Sequence, residues 1–357
     1  MLRVDDYQHL SKSIFYHEES KKLPAEALRF LYDQRLFKFY VPETSGGLEL
    51  SLPDSLTLLA EVAKIDGNLG WLLSTGSGAS YFYGFMEPSV AEEVFAQEKA
   101  VIAGSGHPSG EAKLVNGGFQ ISGSWKYCSG ADIATTFTFN CKIAGSDQIK
   151  AFILQPDQVK IKHDWDAFGL KSTYTHTVEV AEVFIPDHRT FDITQTPYHR
   201  HPIYKVPFLP FAQASIASVG YGIADRILDV SKKIATANKE FWQSEDLNRY
   251  GYLLKKVNVL SENLQQDYLS LSQQIIKGWQ QVKADEIGDD WPAAIDILSK
   301  KLSRSALKAG SELIPYLGMD AIKEHNYINY LWRNLQTASQ HILITPFHQE
   351  TYEVSFL

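Results

Sequence analysis

A run of polar side chains near the end of the chain supplies its clearest candidate chemistry. Arg333, Thr337 and His341 recur every four residues, which places them along one broad face if the segment is helical. A histidine titrates near neutral pH, so His341 can donate or accept a proton during a reaction. A histidine can also cap a helix C-terminus, and Thr345-Pro346 directly downstream suits that structural role. Both interpretations of His341 stay open.

The sequence lacks several familiar catalytic motifs. Gly104-Ser105-Gly106 with Gly110 does not have the spacing of a dinucleotide-binding loop, and a strand rather than a helix is predicted after it. There is no Walker loop, no H-E-x-x-H and no G-x-S-x-G. His199 and His201 lie in a proline-rich segment without a partner cysteine or acidic cluster, so we predict no metal site.

Composition limits the functional classes. The chain has 357 residues, with 42 acidic against 34 basic side chains and a net charge of −8. This balance argues against a general nucleic-acid or anionic-membrane surface, because both need clustered positive charge. Cys128 and Cys141 are too few for a disulfide framework. The acidic N-terminus is unlike a signal peptide, and no apolar run is long enough for a membrane span. We therefore expect a soluble, cytoplasmic protein.

Secondary-structure signals divide the chain into three blocks. Residues 1–100 have helical periodicity. Residues 101–192 contain short runs rich in Ile, Val, Thr and Phe, with a tight-turn signal at Asn116-Gly117-Gly118. Residues 193–357 return to helix, and their last predicted helix covers 322–342. The predicted fold class is α+β, in which a small β-barrel or sandwich lies between two helical domains.

Five segments, read in order, resemble motifs of the acyl-CoA dehydrogenase superfamily. The resemblance is strongest to its flavin-dependent monooxygenase branch, which includes aromatic hydroxylases and dibenzothiophene monooxygenases. The segments are Leu36–Gly47, Asp66–Trp71, Asn116–Gly130, Gly169–Pro186 and Leu331–His341. Each motif is weak alone, but their order and spacing agree with the three blocks. The resemblance implies an N-terminal helical domain, a middle β-barrel domain and a C-terminal helical bundle.

The resemblance also implies a flavin site in the middle block. Trp125, Tyr127, Cys128 and Ser129 match the family's strand along the isoalloxazine ring, where Ser129 would hydrogen-bond near N5 or O4. A fixed donor there stabilises charge on the reduced flavin inside a water-excluding site. Thr173 would lie in the neighbouring loop, close to the flavin or the substrate. The alternative is that Trp125 and Tyr127 are core aromatics of a strand and Thr173 is an ordinary loop residue.

Residues after Arg333 distinguish a dehydrogenase activity from a monooxygenase activity. Acyl-CoA dehydrogenases commonly carry a catalytic glutamate after an R-D motif, whereas here Asn334 replaces the Asp and the next acids, Glu350 and Glu353, are too far on. The monooxygenase branch has a histidine near this point, and His341 matches it. The resemblance therefore implies a monooxygenase in which His341 and Ser129 stabilise a C4a-hydroperoxyflavin. An acyl-CoA dehydrogenase-like enzyme with a relocated base and a non-catalytic member of the superfamily stay as alternatives.

The family's clamp for FAD phosphates is not recognisable in this sequence. The expected cofactor is therefore FAD or FMN, or a reduced flavin delivered by a partner reductase. Lys171, Arg200 and Lys205 are candidates for contacting its phosphate. The expected substrate is a small apolar or aromatic molecule. Because superfamily members pack through their C-terminal helices, the resemblance also implies a homodimer or homotetramer.

Overall fold

The structure is a computed structural model that describes residues 7–244 and 248–345. Five helices precede a group of seven strands, and five further helices follow it in the described part of the chain. The first five helices are α1 (Gln8–Tyr16), α2 (Ala25–Asp33), α3 (Leu52–Ile65), α4 (Gly67–Ala79) and α5 (Pro88–Ala96). The change from helix to strand falls at Ile102, close to the predicted start of the β block.

The strands form one seven-stranded sheet. They are β1 (Ile102–Val115), β2 (Gly118–Cys128), β3 (Thr136–Ile143), β4 (Ile149–Leu154), β5 (Lys160–Lys162), β6 (His176–Pro186) and β7 (Thr190–Phe191). Their order is β5-β6-β2-β1-β3-β4-β7, and β1 pairs with β3 in parallel while the other pairs are antiparallel. The hairpin between β1 and β2 turns at Gly117, whose φ of 78° suits glycine. This confirms the predicted tight turn.

Aromatic side chains fill the interior of the β block. The Trp125 and Phe139 rings stack with their centroids 4.3 Å apart, and the Trp125 indole N–H donates to the Asn140 carbonyl. Gly110 and Gly123 make room for this indole, since an added Cβ would lie 2.2 Å and 2.5 Å from its ring atoms. Trp125 is therefore a packing residue of the β core.

The remaining helices complete the α+β fold. They are α6 (Phe208–Ala237), α7 (Lys239–Gln243), α8 (Arg249–Lys283), α9 (Trp291–Leu317) and α10 (Tyr327–Ala338). The helix predicted over 322–342 is therefore wrong at both ends. Asn326 caps the start of α10 by accepting the Ile328 N–H, and the helix ends three residues before His341. Among the described residues, no helix combines the length and apolar character needed to cross a membrane.

Close helix packing fixes the position of α4, which carries Trp71. Asp66 ends α3 and caps α4, because its carboxylate accepts the Asn68 N–H at 2.8 Å. Small residues then let α4 approach α3 closely: a Cβ on Gly70 would lie 2.5 Å from that of Ala63. The two helices thus form a tight corner, and a side chain one turn into α4 has little freedom to shift.

Candidate active site

Ser129 lies just after an irregular end of strand β2. The pairing of β2 with β6 shifts between Trp125 and Cys128, and Tyr127 in this bulge has a φ of 63°. A non-glycine residue with this φ is uncommon and marks local strain. The Tyr127 side chain is 71% exposed, whereas Cys128 is fully buried and Ser129 is 7% exposed. The bulge therefore presents Tyr127 outward and leaves Ser129 at the edge of the interior.

Ser129 begins a line of hydrogen bonds between hydroxyl groups. Its Oγ lies 3.0 Å from the Trp71 indole Nε1 and 2.8 Å from the Thr175 Oγ1. Thr175 Oγ1 lies 2.8 Å from Thr173 Oγ1, which donates to the Leu170 carbonyl at 2.8 Å. Three elements thus converge here, namely α4, the end of β2 and the segment that precedes β6. Two of the predicted site residues, Ser129 and Thr173, belong to one network.

His341 also packs against Trp71. The two rings have their centroids 5.8 Å apart. His341 does not cap the C-terminus of α10; it caps the short 3-10 turn Ile342–Ile344, because its Nδ1 accepts the Leu343 N–H at 3.3 Å. Burial lowers the pKa of His341 to about 4. The ring is therefore neutral at physiological pH, and because Nδ1 accepts a hydrogen bond, Nε2 carries the proton.

We predicted that Arg333, Thr337 and His341 share one helical face. This prediction is wrong, because α10 ends at Ala338, before His341. Arg333 instead makes a buried bidentate ion pair, in which its guanidinium nitrogens lie 2.6 Å from both carboxylate oxygens of Glu18. It also donates to the Phe168 carbonyl. Arg333 therefore ties the N-terminal segment to α10 and to the loop before β6, and it has a structural role.

A second buried network holds the site segments together. Asn68 donates its Nδ2 to the Asp66 carboxylate at 3.1 Å and to the Tyr330 hydroxyl at 2.9 Å, and its Oδ1 accepts the Ser172 N–H at 3.0 Å. Tyr330 also donates to Asp66 at 2.6 Å. Burial raises the pKa of Asp66 to about 6. The network joins α4, α10 and the Thr173–Thr175 segment, which are the elements that place the partners of Ser129.

Asn334 takes part in the same junction. Its Oδ1 accepts the Leu170 N–H at 2.7 Å, and the residue is fully buried. Asn334 stands where the family motif has an Asp, and this replacement loses a carboxylate that could orient a neighbour. The amide oxygen of Asn334 makes such an orienting hydrogen bond to the loop before β6, without burying a charge.

The other predicted cofactor residues divide by burial. Trp125 is inside the β core, and Cys128 is also buried, with its thiol donating to the Trp125 carbonyl at 3.3 Å and its pKa raised to about 12 by burial. Their placement favours the core interpretation, and flavin contact by either stays a prediction without support from the geometry. Tyr127 is not a core aromatic, since most of its side chain is exposed. Its outward position beside Ser129 suits contact with a planar ligand.

Two residues of the site were missed from the sequence. Trp71 was part of the Asp66–Trp71 motif but was given no role, although its indole N–H is the donor to Ser129. Thr175 was not singled out, although it joins Ser129 to Thr173. No local signal marked Thr175, because Tyr174 between the two threonines has a φ of 49° and the segment is therefore not extended chain.

A separate polar cluster lies near the end of the β block. The nitrogen and oxygen ligand atoms of Asp132, His163 and His176 lie within 4.8 Å of one another. His163 Nε2 is 3.0 Å from Asp132 Oδ1, and His176 Nε2 is 3.8 Å from Oδ2. His176 Nδ1 accepts the Trp165 N–H at 3.3 Å, so Nε2 carries the proton of the neutral ring. This geometry favours a hydrogen-bonded group over a three-ligand metal site.

The basic residues suggested for a cofactor phosphate have other neighbours. Lys171 Nζ lies 4.0 Å and 3.7 Å from the carboxylates of Glu18 and Glu19, and Lys205 pairs with Asp285. Arg200 is exposed. A phosphate-binding role for these residues stays a prediction.

The residues around Ser129 fit a flavin ring. An isoalloxazine needs a hydrogen-bonding group at its N5–O4 edge and flat, weakly polar surfaces against its faces. Ser129 supplies a hydroxyl held by Trp71 and Thr175, the Trp71 indole offers a flat surface, and the exposed Tyr127 ring lies two residues before Ser129 in the chain. All of these groups are uncharged. The chemistry of this donor set therefore agrees with a flavin-binding site.

Comparisons with known proteins support the same conclusion. No family model matches the chain. It is 26% identical over 313 residues to indole-3-acetate monooxygenase of Pseudomonas putida, which covers 86% of this chain and 80% of that protein. It is 30% identical over 217 residues to a pigment production hydroxylase of a Rhodococcus species, covering 57% of this chain and 56% of the relative. The second match thus spans about half of that relative's length.

Solved structures match over almost the whole chain. The 3-HSA hydroxylase from Rhodococcus sp. RHA1 superposes with a TM-score of 0.88 at 18% identity, covering 98% of this chain and 92% of that one. FMN-bound TdsC from Paenibacillus sp. A11-2, from the dibenzothiophene monooxygenase group, gives a TM-score of 0.76 at 17% identity, covering 96% and 94%. These matches confirm the predicted α+β fold class. The chain has the acyl-CoA dehydrogenase-like fold of these structures, and its relatives include oxygenase components of flavin-dependent monooxygenases.

Proposed function

We propose that this chain is the oxygenase component of a two-component monooxygenase that hydroxylates a small, uncharged aromatic molecule. It would take reduced FMN or FAD from a separate reductase. The reaction consumes the reduced flavin and O2, places one oxygen atom in the substrate and releases the other as water, so that the flavin is returned oxidised. The observation that carries this proposal is the meeting of Trp71, Ser129 and His341 at one place.

The proposed roles follow from the hydrogen-bonding state of each group. The flavin, when bound, supplies the electrons that activate O2. Ser129 would hold the edge of the ring, and the exposed Tyr127 would pack against it. His341 is neutral and carries its proton at Nε2, so it can donate a hydrogen bond to an oxygen atom without bringing a positive charge. Trp71 contacts both Ser129 and His341 and would exclude water from the space between them.

The substrate class follows from the lack of charge in the donor set. Ser129, Thr173, Thr175 and Trp71 are neutral, and His341 is held neutral by burial. A carboxylate placed beside these groups would lose its hydration without gaining an opposite charge, which costs several kcal/mol. The relatives include an indole-3-acetate monooxygenase, and an anionic substrate such as indole-3-acetate needs a partner cation. We therefore expect this chain to prefer indole-like or phenolic molecules without a carboxylate.

The test is an anaerobic titration of the protein with reduced FMN and reduced FAD, followed by mixing with ¹⁸O₂ and an aromatic compound. Indole and indole-3-acetate form a matched pair that differs by one carboxymethyl group. We expect reduced flavin to bind, and ¹⁸O to enter indole more efficiently than indole-3-acetate. His341→Ala is expected to lower the yield of hydroxylated product and to raise the yield of hydrogen peroxide. Equal use of both compounds would contradict the proposed substrate class.

The acyl-CoA dehydrogenase alternative predicts a different result in the same flavin titration. It predicts tight binding of oxidised FAD and bleaching of its absorbance by an acyl-CoA, without oxygen or a reductase. Glu350 and Glu353, the next acids after Asn334, are too far along the chain for the usual base, and they lie outside the described residues. A protein that bound flavin in neither redox state would instead support the non-catalytic alternative.

The assembly and location of the protein are proposed on separate grounds. We propose a homodimer or homotetramer that packs through α8 and α9, where Tyr252, Leu269, Ile276 and Ile297 are about half exposed. Sedimentation at micromolar concentration tests this, and a monomer would contradict it. A cytoplasmic location is proposed because both cysteines are free and buried. Cell fractionation tests that proposal.

A further inference from the structure

The direction of the hydrogen bonds along Ser129, Thr175 and Thr173, here called the hydroxyl series, follows from its two ends. The Leu170 carbonyl can only accept, so Thr173 must donate to it at 2.8 Å. Thr173 has then used its one proton, and in its 2.8 Å contact with Thr175 it must accept. Thr175 therefore donates its one proton to Thr173, and in its 2.8 Å contact with Ser129 it must accept. The Trp71 indole N–H, which is only a donor, gives its proton to Ser129.

Ser129 is left with a lone pair and no free proton, which differs from the donor role that the resemblance implied for it. Its hydroxyl proton goes to Thr175, and one of its two lone pairs accepts from Trp71. We propose that the hydroxyl series fixes Ser129 as a hydrogen-bond acceptor and so makes this site select reduced over oxidised flavin. The inference rests on the proposed function, since it concerns the same flavin site. Reduced flavin has an N–H at N5 that an acceptor can bind, whereas oxidised flavin has a lone pair at N5 that it cannot.

Reversing the series has a cost. For Ser129 to donate to an oxidised ring, Thr175 must donate to Ser129 and Thr173 must donate to Thr175, which removes the bond from Thr173 to Leu170. The Leu170 carbonyl keeps its bond from the Trp165 indole N–H at 2.9 Å, so the reversed state lacks one hydrogen bond without leaving the carbonyl bare. One net hydrogen bond changes an equilibrium by about three- to tenfold.

Burial keeps the direction fixed. Thr173 is fully buried, and Thr175 and Ser129 are 6% and 7% exposed. Water therefore has little access to the series and cannot supply replacement partners that would let the hydroxyls turn. In a low-dielectric interior, hydrogen bonds in a chain also polarise one another in the same direction. The preference set by the Leu170 carbonyl is thus transmitted through two threonines to Ser129.

The test measures dissociation constants for oxidised FMN, by fluorescence, and for reduced FMN, anaerobically, on the full chain. Thr173→Val removes the anchoring donor with little change in shape, so the direction of the Thr175 hydroxyl is left to its longer, 3.4 Å contact with the carbonyl of residue 173. Thr175→Val removes the acceptor of the Ser129 proton and frees that proton for the ligand. Thr136→Val is the matched control: this threonine is also buried in the β block, and its Oγ1 has no hydrogen-bond partner among the described residues.

We expect the wild-type ratio of the oxidised to the reduced dissociation constant to fall about three- to tenfold in Thr173→Val and at least as far in Thr175→Val. Thr136→Val should keep the wild-type ratio. A folded Thr173→Val or Thr175→Val protein whose two affinities change by the same factor would overturn the inference, because a purely structural role moves both together. If the wild-type protein binds oxidised and reduced FMN equally, the proposed selection of reduced flavin is wrong, whereas the proposed function is not affected. Binding of neither state overturns the proposed function as well.

Discussion

Replacing Asn68 with alanine tests whether the buried network positions the site. Asn68 is 1% exposed and uses every arm of its amide: Nδ2 donates to Asp66 and Tyr330, and Oδ1 accepts the Ser172 N–H. The truncation leaves the backbone of α4 unchanged, because Asp66 still accepts the N–H of residue 68. It cuts the side-chain link between α4 and the segment that carries Thr173 and Thr175.

The expected cost can be assembled from these contacts. The buried Ser172 N–H loses its acceptor, which costs about 1–3 kcal/mol, and the lost bond to the Asp66 carboxylate adds about 1.5–3 kcal/mol. The Tyr330 hydroxyl keeps its bond to Asp66, so its loss is smaller. We therefore expect Asn68→Ala to lower the free energy of unfolding by about 3–5 kcal/mol. The matched control is Asn140→Ala, which removes one exposed bond to the Gly106 carbonyl and should cost less than about 1 kcal/mol.

The assay is guanidinium unfolding at pH 7 followed by circular dichroism, together with the dissociation constant for reduced FMN. Asn68→Ala should also weaken reduced-FMN binding, because Thr175 no longer has a fixed position relative to Trp71 and Ser129. Asn140→Ala should leave that affinity unchanged. A loss of stability no greater than that of the control would refute the reasoning. Lost stability with unchanged flavin affinity would show that the network supports the fold but does not position the site.

Three further results are expected. Arg333→Met should destabilise the protein by about 3–5 kcal/mol in thermal unfolding because it leaves the buried Glu18 carboxylate with only the 4.0 Å contact of Lys171, while Glu18→Gln combined with Arg333→Met should recover much of the loss; equal losses in the single and double variants would contradict this. The NMR titration of His341 should have its midpoint near pH 4, because burial penalises the charged ring; a midpoint near 6.5 would remove the neutral-donor role. Burial raises the pKa of both Cys128 and Cys141 to about 12, so neither thiol should react with iodoacetamide at pH 8 until the protein is unfolded; rapid labelling of the native protein would show that a thiol is accessible.

The block order and the position of Ser129 were predictable because they depend on local signals. Period, turn residues and the order of five weak motifs were enough for the helix–sheet–helix arrangement. The end of α10 was not predictable, since Gln340 and His341 carry no Gly or Pro stop signal and the four-residue spacing of Arg333, Thr337 and His341 continued past it. The spacing therefore predicted one helical face for all three residues. Arg333 instead forms an ion pair with Glu18, which lies 315 residues away in the chain.

Trp125 illustrates a second limit of the sequence. The motif around it marks a strand that reaches the site, but alternation along a strand does not state which residue faces the core when a bulge intervenes. The shift in pairing between Trp125 and Cys128 turns Tyr127 outward and leaves Trp125 and Cys128 inside. Only the pairing of β2 with β6 decides this, and that pairing is a long-range contact.

In the part of the chain that the structure describes, the side-chain hydrogen bonds of Ser129 are to the neutral Trp71 and Thr175 and to no charged group. Asp66 lies at the cap of α4, two hydrogen bonds away from the Thr173–Thr175 segment through Asn68 and Ser172, and it organises the site without facing it. A charged side chain in direct contact with Ser129 would orient the hydroxyl more strongly, but it would also favour ligands of the opposite charge. A carbonyl at Leu170, acting through two threonines, sets the direction of the Ser129 hydroxyl while the surroundings stay neutral. A neutral surrounding of this kind suits a flavin whose charge changes during turnover and an aromatic substrate that has none.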